Sequence, residues 1–173
     1  VIESMVLEGA LDLACLTAYP KHEELNYILI EQEDLVLLAS KNTSIAKRIP
    51  SGSEISITEA KGESFICSKP GHSVRTTQDR LFVMYDIQPR ILFETMSIEV
   101  AKRTAVACDA VFICPINYIE MSPELHPYCN VYPIKGIENQ RSCYVCHRKD
   151  LYLTKYMKSF IQILTEMDMP VLH

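Results

Sequence analysis

Leu7–Glu8–Gly9–Ala10–Leu11–Asp12–Leu13–Ala14–Cys15–Leu16–Thr17 is the stretch whose reading decides the fold. Upstream of it, Ile2, Met5 and Val6 are spaced like the last turns of a helix that begins by Val1, and Gly9 stands where a helix takes its C-terminal cap. Ala10 to Thr17 then runs nearly apolar up to turn residues around Pro20, the pattern of a strand buried on both faces of a parallel sheet. Two β-like runs follow, Leu25–Ile30 and Leu35–Ala39, joined by the acidic turn Glu31–Gln32–Glu33–Asp34.

The same order returns in the second half. A helix capped by Ser97, with Glu99 at the positive end of its dipole, runs to about Ala107. The buried strand Val111–Cys114 ends at Pro115, and the β runs Asn130–Ile134 and Ser142–Arg148 come next. Between the halves lie a polar connection with one helical turn (Lys41–Gly52), a strand Glu63–Ser68, a helix Ser73–Tyr85 and a strand Arg90–Phe93. Ser122 caps a helical start at Pro123. A closing amphipathic helix, Leu151–Met167, places Tyr156, Phe160, Ile163, Leu164 and Met167 on one face. Strands alternating with helices predict an α/β protein with mostly parallel sheets. The repeated unit predicts two Rossmann-like α/β lobes with a ligand cleft between them, at the carboxyl ends of the strands.

The 173 residues suffice for two small lobes that bury roughly 70% of the unfolded surface. With 48% hydrophobic and 23% charged residues, the composition excludes disorder. Seventeen Lys and Arg against 22 Asp and Glu give a net charge of -5 with the bases scattered, so this stretch by itself is not expected to hold DNA. No apolar run approaches the roughly 20 residues that span a bilayer, and Glu3 and Glu8 stand where a secretory signal carries bases. No membrane partner and a cytoplasmic location are expected. Seven cysteines, mostly in apolar stretches, fit a reducing compartment better than a disulfide framework.

Cys143–Tyr144–Val145–Cys146–His147 matches the C-x-x-C-H pattern of covalent haem attachment, and Cys129 and His126 could join it around zinc. Its β-branched and aromatic alternation reads instead as an ordinary strand, so no metal and no cofactor are expected. Ser44–Ile45–Ala46–Lys47 has the S-x-x-K spacing of acyl enzymes without their partner motifs. Cys67 near His72 suggests a nucleophile and base, yet an apolar surrounding raises a thiol's pKa and keeps it inert. With five glycines and none at G-x-G spacing, nucleotide binding is unsupported, and no catalytic residue is assigned. A binding constellation remains. Thr95 and Ser97 stand at a helix start, where free N–H groups and hydroxyls hold anions. Ser68 and Lys69 end the preceding strand, and Thr17 ends the strand of the other lobe.

The string Leu7 to Ala14 resembles the l-x-G-x-l-D-l-a signature of the effector-binding domain of LysR-type transcriptional regulators. Further similarities come in order: the paired runs after it, then Phe65–Ile66–Cys67 with a polar loop and Arg75. Pro89–Arg90–Ile91 leads to Glu94, Val111 to Pro115 follows, and Tyr144 to Asp150 precedes the last helix. The resemblance implies a type 2 periplasmic-binding-protein-like fold. Lobe I would be residues 1–57 with its first strands missing, lobe II residues 58–149, and residues 150–173 a helix returning to lobe I. Cys143 to His147 would be the last strand of lobe II. Thr95, Met96, Pro115 and Ile116 match positions that line the family's effector cleft; Thr17, Ser68, Lys69 and Ser97 are added on geometric grounds.

Two departures stand out. Cys108 and Ala110, with Asp109 between them, occupy places where the family carries glycines. The family's winged helix-turn-helix and first β-α-β unit are expected to precede residue 1, so the chain is expected to be N-terminally truncated. The resemblance thus implies a sensor for a small carboxylate or amino-acid-like effector. It also implies a homodimer, with a tetramer at full length, that contacts DNA only through the missing N-terminal domain. A solute-binding protein of a transporter and an enzyme of the prephenate-dehydratase type are the rival readings.

Overall fold

The computed structural model describes residues 2–17, 20–136 and 140–166. It is a mixed α/β chain with two sheets that falls into two compact units: residues up to Glu33 together with those from Arg141, and Asp34–Gln140.

The first unit contains α1 (Ile2–Leu7), β1 (Ala14–Thr17), β2 (Leu25–Glu33), β8 (Arg141–Arg148) and α6 (Lys155–Glu166). Its three-stranded sheet has the order β1-β8-β2, and both pairings are antiparallel. Gly9 ends α1 as expected, at φ +76° with its N–H donating to Val6 C=O at 3.1 Å. A Cβ there would also meet the guanidinium of Arg148 at 3.0 Å. That guanidinium donates to Val6 C=O at 3.0 Å, tying the helix end to β8. The small core is Val6, Ala14, Leu25 and Cys146.

The second unit contains β3 (Leu35–Ser40), α2 (Ser44–Arg48), β4 (Ser64–Ser68), α3 (Ser73–Met84), β5 (Arg90–Thr95), α4 (Ile98–Ala107), β6 (Val111–Pro115), α5 (Ile116–Glu120) and β7 (Cys129–Pro133). Short 3₁₀ turns lie at Ile57–Ala60 and Pro123–Leu125. Five strands form one sheet in the order β5-β4-β6-β3-β7. β5, β4 and β6 are parallel, and β3 is antiparallel to both of its neighbours. All six residues of β3 are buried. Leu35, Leu37 and Ala39 pack with Ile45, Phe65, Leu81 and Tyr132 on one face; Val36 and Leu38 pack with Ile66, Val74, Ala101 and Phe112 on the other. A sheet covered on both faces needs apolar residues at every position, which is why β3 and β6 read as continuous apolar runs.

Several expectations are corrected. The chain divides into the two units at Glu33/Asp34 and Gln140/Arg141 rather than after residues 57 and 149, because β3 hydrogen-bonds to β6 and β7 and so belongs to the second sheet. Residues Glu31 to Asp34 are no hairpin turn. β2 runs through Glu33 as an edge strand, whose open side tolerates exposed Glu31 and Gln32, and the chain then enters the other unit. Cys143 to His147 lie in β8, the central strand of the first unit's sheet, not in the second unit. β1 is a four-residue edge strand with only Ala14 buried, not a strand covered on both faces; its sheet is antiparallel and the second unit's sheet is mixed, where mostly parallel sheets were expected. The last helix starts at Lys155, and the position assigned to Met167, like Val1, lies outside the described residues.

Candidate functional site

The parallel part of the second unit's sheet aims the carboxyl ends of β4, β5 and β6 to one side. Ser68 lies level with Thr95 in the β4–β5 ladder, and the Lys69 N–H extends that ladder by donating to Thr95 C=O at 2.9 Å. Seven of the eight residues singled out in the sequence sit here: Ser68, Lys69, Thr95, Met96, Ser97, Pro115 and Ile116. Thr17 ends β1 in the first unit, its hydroxyl 3.4 Å from the Cys143 thiol.

Each strand end feeds a helix. After β4 the chain turns at Gly71, at φ +93°, and His72 caps α3 by accepting the Val74 N–H on Nδ1 at 3.1 Å. After β5 the Thr95 hydroxyl accepts the Ser97 N–H at 3.1 Å, and the Ser97 hydroxyl accepts the Val100 N–H at 3.3 Å as the N-cap of α4. After β6, Pro115 leads into α5 without a side-chain cap, and the Ile116 N–H donates to Asp34 C=O at 2.9 Å. The starts of α3 and α4 put the positive ends of two helix dipoles beside the strand ends. Lys69 is exposed, and its ammonium has no ion pair among the described residues; Met96 is 56% exposed.

The Ser68 hydroxyl is the unusual group. Ser68 is 1% exposed, and its Oγ has no hydrogen-bond partner among the described residues. Buried hydroxyls rarely stay unpaired, since the lost hydrogen bond costs about 1–3 kcal/mol. Around it, the Gln78 side chain accepts the Ser68 N–H at 3.1 Å and donates to Ile113 C=O at 2.9 Å. Arg75 donates to Ser68 C=O at 3.0 Å, to Asp79 at 2.7 Å and to the Glu94 carboxylate. The sequence pattern marks Arg75 and Glu94 only by their order along the chain and does not single out Gln78. The signal was available: Thr77 and Gln78 interrupt the buried stripe Val74, Leu81 and Phe82 of α3, and a polar residue there needs a partner.

The thiol chemistry weighed in the sequence finds no footing. Burial pushes the Cys67 thiol up to about 12, against a smaller lowering by Arg75, so it is held as the neutral thiol. His72 is engaged as a helix cap. Cys143 and Cys146 are free thiols in a strand, both raised in pKa by burial. Among the described residues no group of three or more His, Cys, Asp or Glu is placed to hold a metal ion, and no helix is long and apolar enough to cross a membrane.

Comparison with known proteins gives three kinds of match. The sequence model described as the LysR substrate binding domain matches residues 1–168. The uncharacterized HTH-type transcriptional regulator YybE of Bacillus subtilis (strain 168) is 34% identical over 86 residues, which cover 50% of this chain and 28% of that relative. The chain therefore accounts for well under two thirds of that relative's length. Among solved structures, the effector-binding domain of QuiR in complex with shikimate superposes with a TM-score of 0.72 at 19% identity, over 95% of this chain and 75% of that one. The CcmR regulatory domain of Synechocystis PCC6803 in complex with 2-PG gives 0.74 at 21% identity, over 95% and 76%. Full-length CbnR complexed with its target DNA gives 0.71 at 18%, over 94% and 55%. At these identities the structural likenesses carry the fold alone.

Proposed function

Because the chain belongs to the LysR substrate-binding domain family, we propose that it is the effector-sensing part of a transcriptional regulator and that a small anionic metabolite is its signal. The observation that carries the reading is the buried, unpartnered Ser68 hydroxyl at the carboxyl end of β4, beside the starts of α3 and α4. A carboxylate or phosphate oxygen accepts a hydrogen bond from such a hydroxyl and is favoured at helix N-termini. Lys69 supplies the neighbouring positive charge, while Thr95, Met96, Ser97, Pro115 and Ile116 form the rest of the proposed contact set.

The solved relatives named with shikimate and 2-PG support an oxygen-rich anion as the class of ligand. A ligand shifts such a sensor only by its differential affinity for two conformations, and that shift is what a regulator passes to its DNA-binding part. Contact with DNA is proposed to run through a separate N-terminal domain of the whole regulator, and assembly to be a homodimer. The test is a thermal-shift screen of small carboxylates, phosphates and amino acids, followed by titration of each hit against Thr95→Val and Ser97→Ala. Hits weakened by both substitutions are expected. Hits of unchanged affinity in both would place the site elsewhere.

A further inference from the structure

Strands β4 and β6 are direct neighbours at only one register position, Phe65 opposite Val111. Beyond it the two backbones no longer pair, so Ser68 N–H and Ile113 C=O lose the ladder partners that adjacent parallel strands would give each other. Buried backbone groups must be satisfied, and here one side chain satisfies both. The carboxamide of Gln78, 1% exposed, accepts from Ser68 N–H at 3.1 Å through Oε1 and donates to Ile113 C=O at 2.9 Å through Nε2. A primary amide presents the acceptor and donor of a peptide group, so Gln78 fills the place of a missing backbone rung. One turn earlier on α3, Arg75 takes the remaining backbone group of the same residue, Ser68 C=O, and joins it to Glu94 of β5.

We infer that Gln78, with Arg75 beside it, is a positioning residue for the effector site: it holds β4 and β6 apart at their carboxyl ends and fixes the Ser68 backbone, leaving the Ser68 hydroxyl without a partner among the described residues. The inference rests on the effector reading above for its purpose but not for its geometry. With both backbone groups of Ser68 engaged by α3, the hydroxyl is the one hydrogen-bonding group of that residue left for a bound oxygen. A glutamine that merely packed in the core would gain nothing from its amide. A rung requires the acceptor on one side and the donor on the other.

The experiment is amide hydrogen exchange by NMR on the full chain, in wild type, Gln78→Met and Gln78→Glu, with benzoate and shikimate as ligand probes. Gln78→Met keeps the length and removes both hydrogen bonds. The Ser68 amide is expected to exchange about 10-fold faster than in wild type, while Phe65, inside the ladder, is unchanged. Gln78→Glu, read at a pH above the titration of the introduced carboxyl so that it is ionised, keeps an oxygen for Ser68 N–H and loses the donor, so Ser68 protection is expected to recover while the Ile113 carbonyl carbon shifts. That shift serves as the readout if Gln78→Met fails to fold.

Unchanged exchange at Ser68 in Gln78→Met, or an unmoved Ile113 carbonyl in Gln78→Glu, overturns the inference. The probes separate it from the effector reading. If the rung behaves as expected but neither probe moves the Ser68, Thr95 or Ser97 signals of the wild type, the effector reading fails for these two anions and the rung stands. If a probe moves them and the rung substitutions leave Ser68 exchange unaltered, the rung fails and the effector reading stands.

Discussion

The Ser40 hydroxyl donates to the Asp109 carboxylate at 3.0 Å, and the same carboxylate oxygen accepts from the Asn42 side-chain amide at 2.9 Å. Asp109 itself has φ +51° and makes the turn between α4 and β6. The departure from the family's glycines at Cys108 and Ala110 is thereby resolved: the left-handed residue is the one between them, and its side chain binds the end of β3. Aspartate tolerates this conformation better than most residues, partly through such local hydrogen bonds.

Two substitutions at this turn separate conformation from hydrogen bonding. Asp109→Ala removes both bonds and keeps a strained φ, and is expected to lower stability by about 2 kcal/mol. Asp109→Gly removes the bonds but relaxes φ, and is expected to fall by about half as much. Urea denaturation of the two variants checks the order; equal losses would mean that the positive φ costs nothing here.

Lys102 is 3% exposed, and its ammonium donates to Tyr118 C=O at 2.8 Å, to the Ser122 hydroxyl, and to Glu99 at 2.8 Å. It ties α4 to α5 and to Ser122 just after it. Hydrogen bonding from Lys102, with Arg103 adding to it against the opposing effect of burial, holds the Glu99 carboxyl below its ordinary value of 4.5. A carboxylate with a depressed folded pKa stabilises above its unfolded value and loses that contribution as pH falls through the folded one. The difference in urea midpoint between wild type and Glu99→Gln is therefore expected to be full at pH 7 and to shrink steadily below about pH 4.5. Lys102→Met, which strips three acceptors of a buried donor, is expected to cost about 2 kcal/mol or more at pH 7.

The thiols differ in reactivity in a way alkylation can read. Cys108, exposed at the end of α4, is expected to react first with iodoacetamide. Cys67, raised to about 12 and buried, is held as the neutral thiol at pH 8 and is expected to stay unmodified in the native protein. Mass spectrometry of peptides labelled natively and in urea gives the order. Early labelling of Cys67 would contradict its place under α3.

What the sequence made legible follows from periodicity and caps. Ser97 before α4, Gly9 after α1 and Pro115 at the end of β6 each act through a local conformational preference, and each lies where the pattern put it. Partnership between strands was not legible. β2 and β3 are consecutive in sequence and β-like in composition, yet one pairs with β8 and the other with β6 and β7. Nothing local to Glu33 and Asp34 distinguishes a hairpin from a passage between sheets. The strand ends that gather Ser68, Thr95 and Pro115 were visible because each is followed by a helix start. Gln78 was not, because its role depends on a gap between two backbones that only the folded sheet creates.

An anion bound at the carboxyl ends of β4, β5 and β6 through the Ser68 hydroxyl is the proposal on which the sensor role rests. A crystal structure of the chain grown with the tightest-binding carboxylate of the screen tests it most directly. A ligand oxygen is expected within hydrogen-bonding distance of Ser68 Oγ, with further contacts at Lys69 or the start of α4. A carboxylate found instead in the groove of about 490 Å³ lined by Ile119, His126, Cys129 and Val131, with Ser68 Oγ still unpaired, would contradict it.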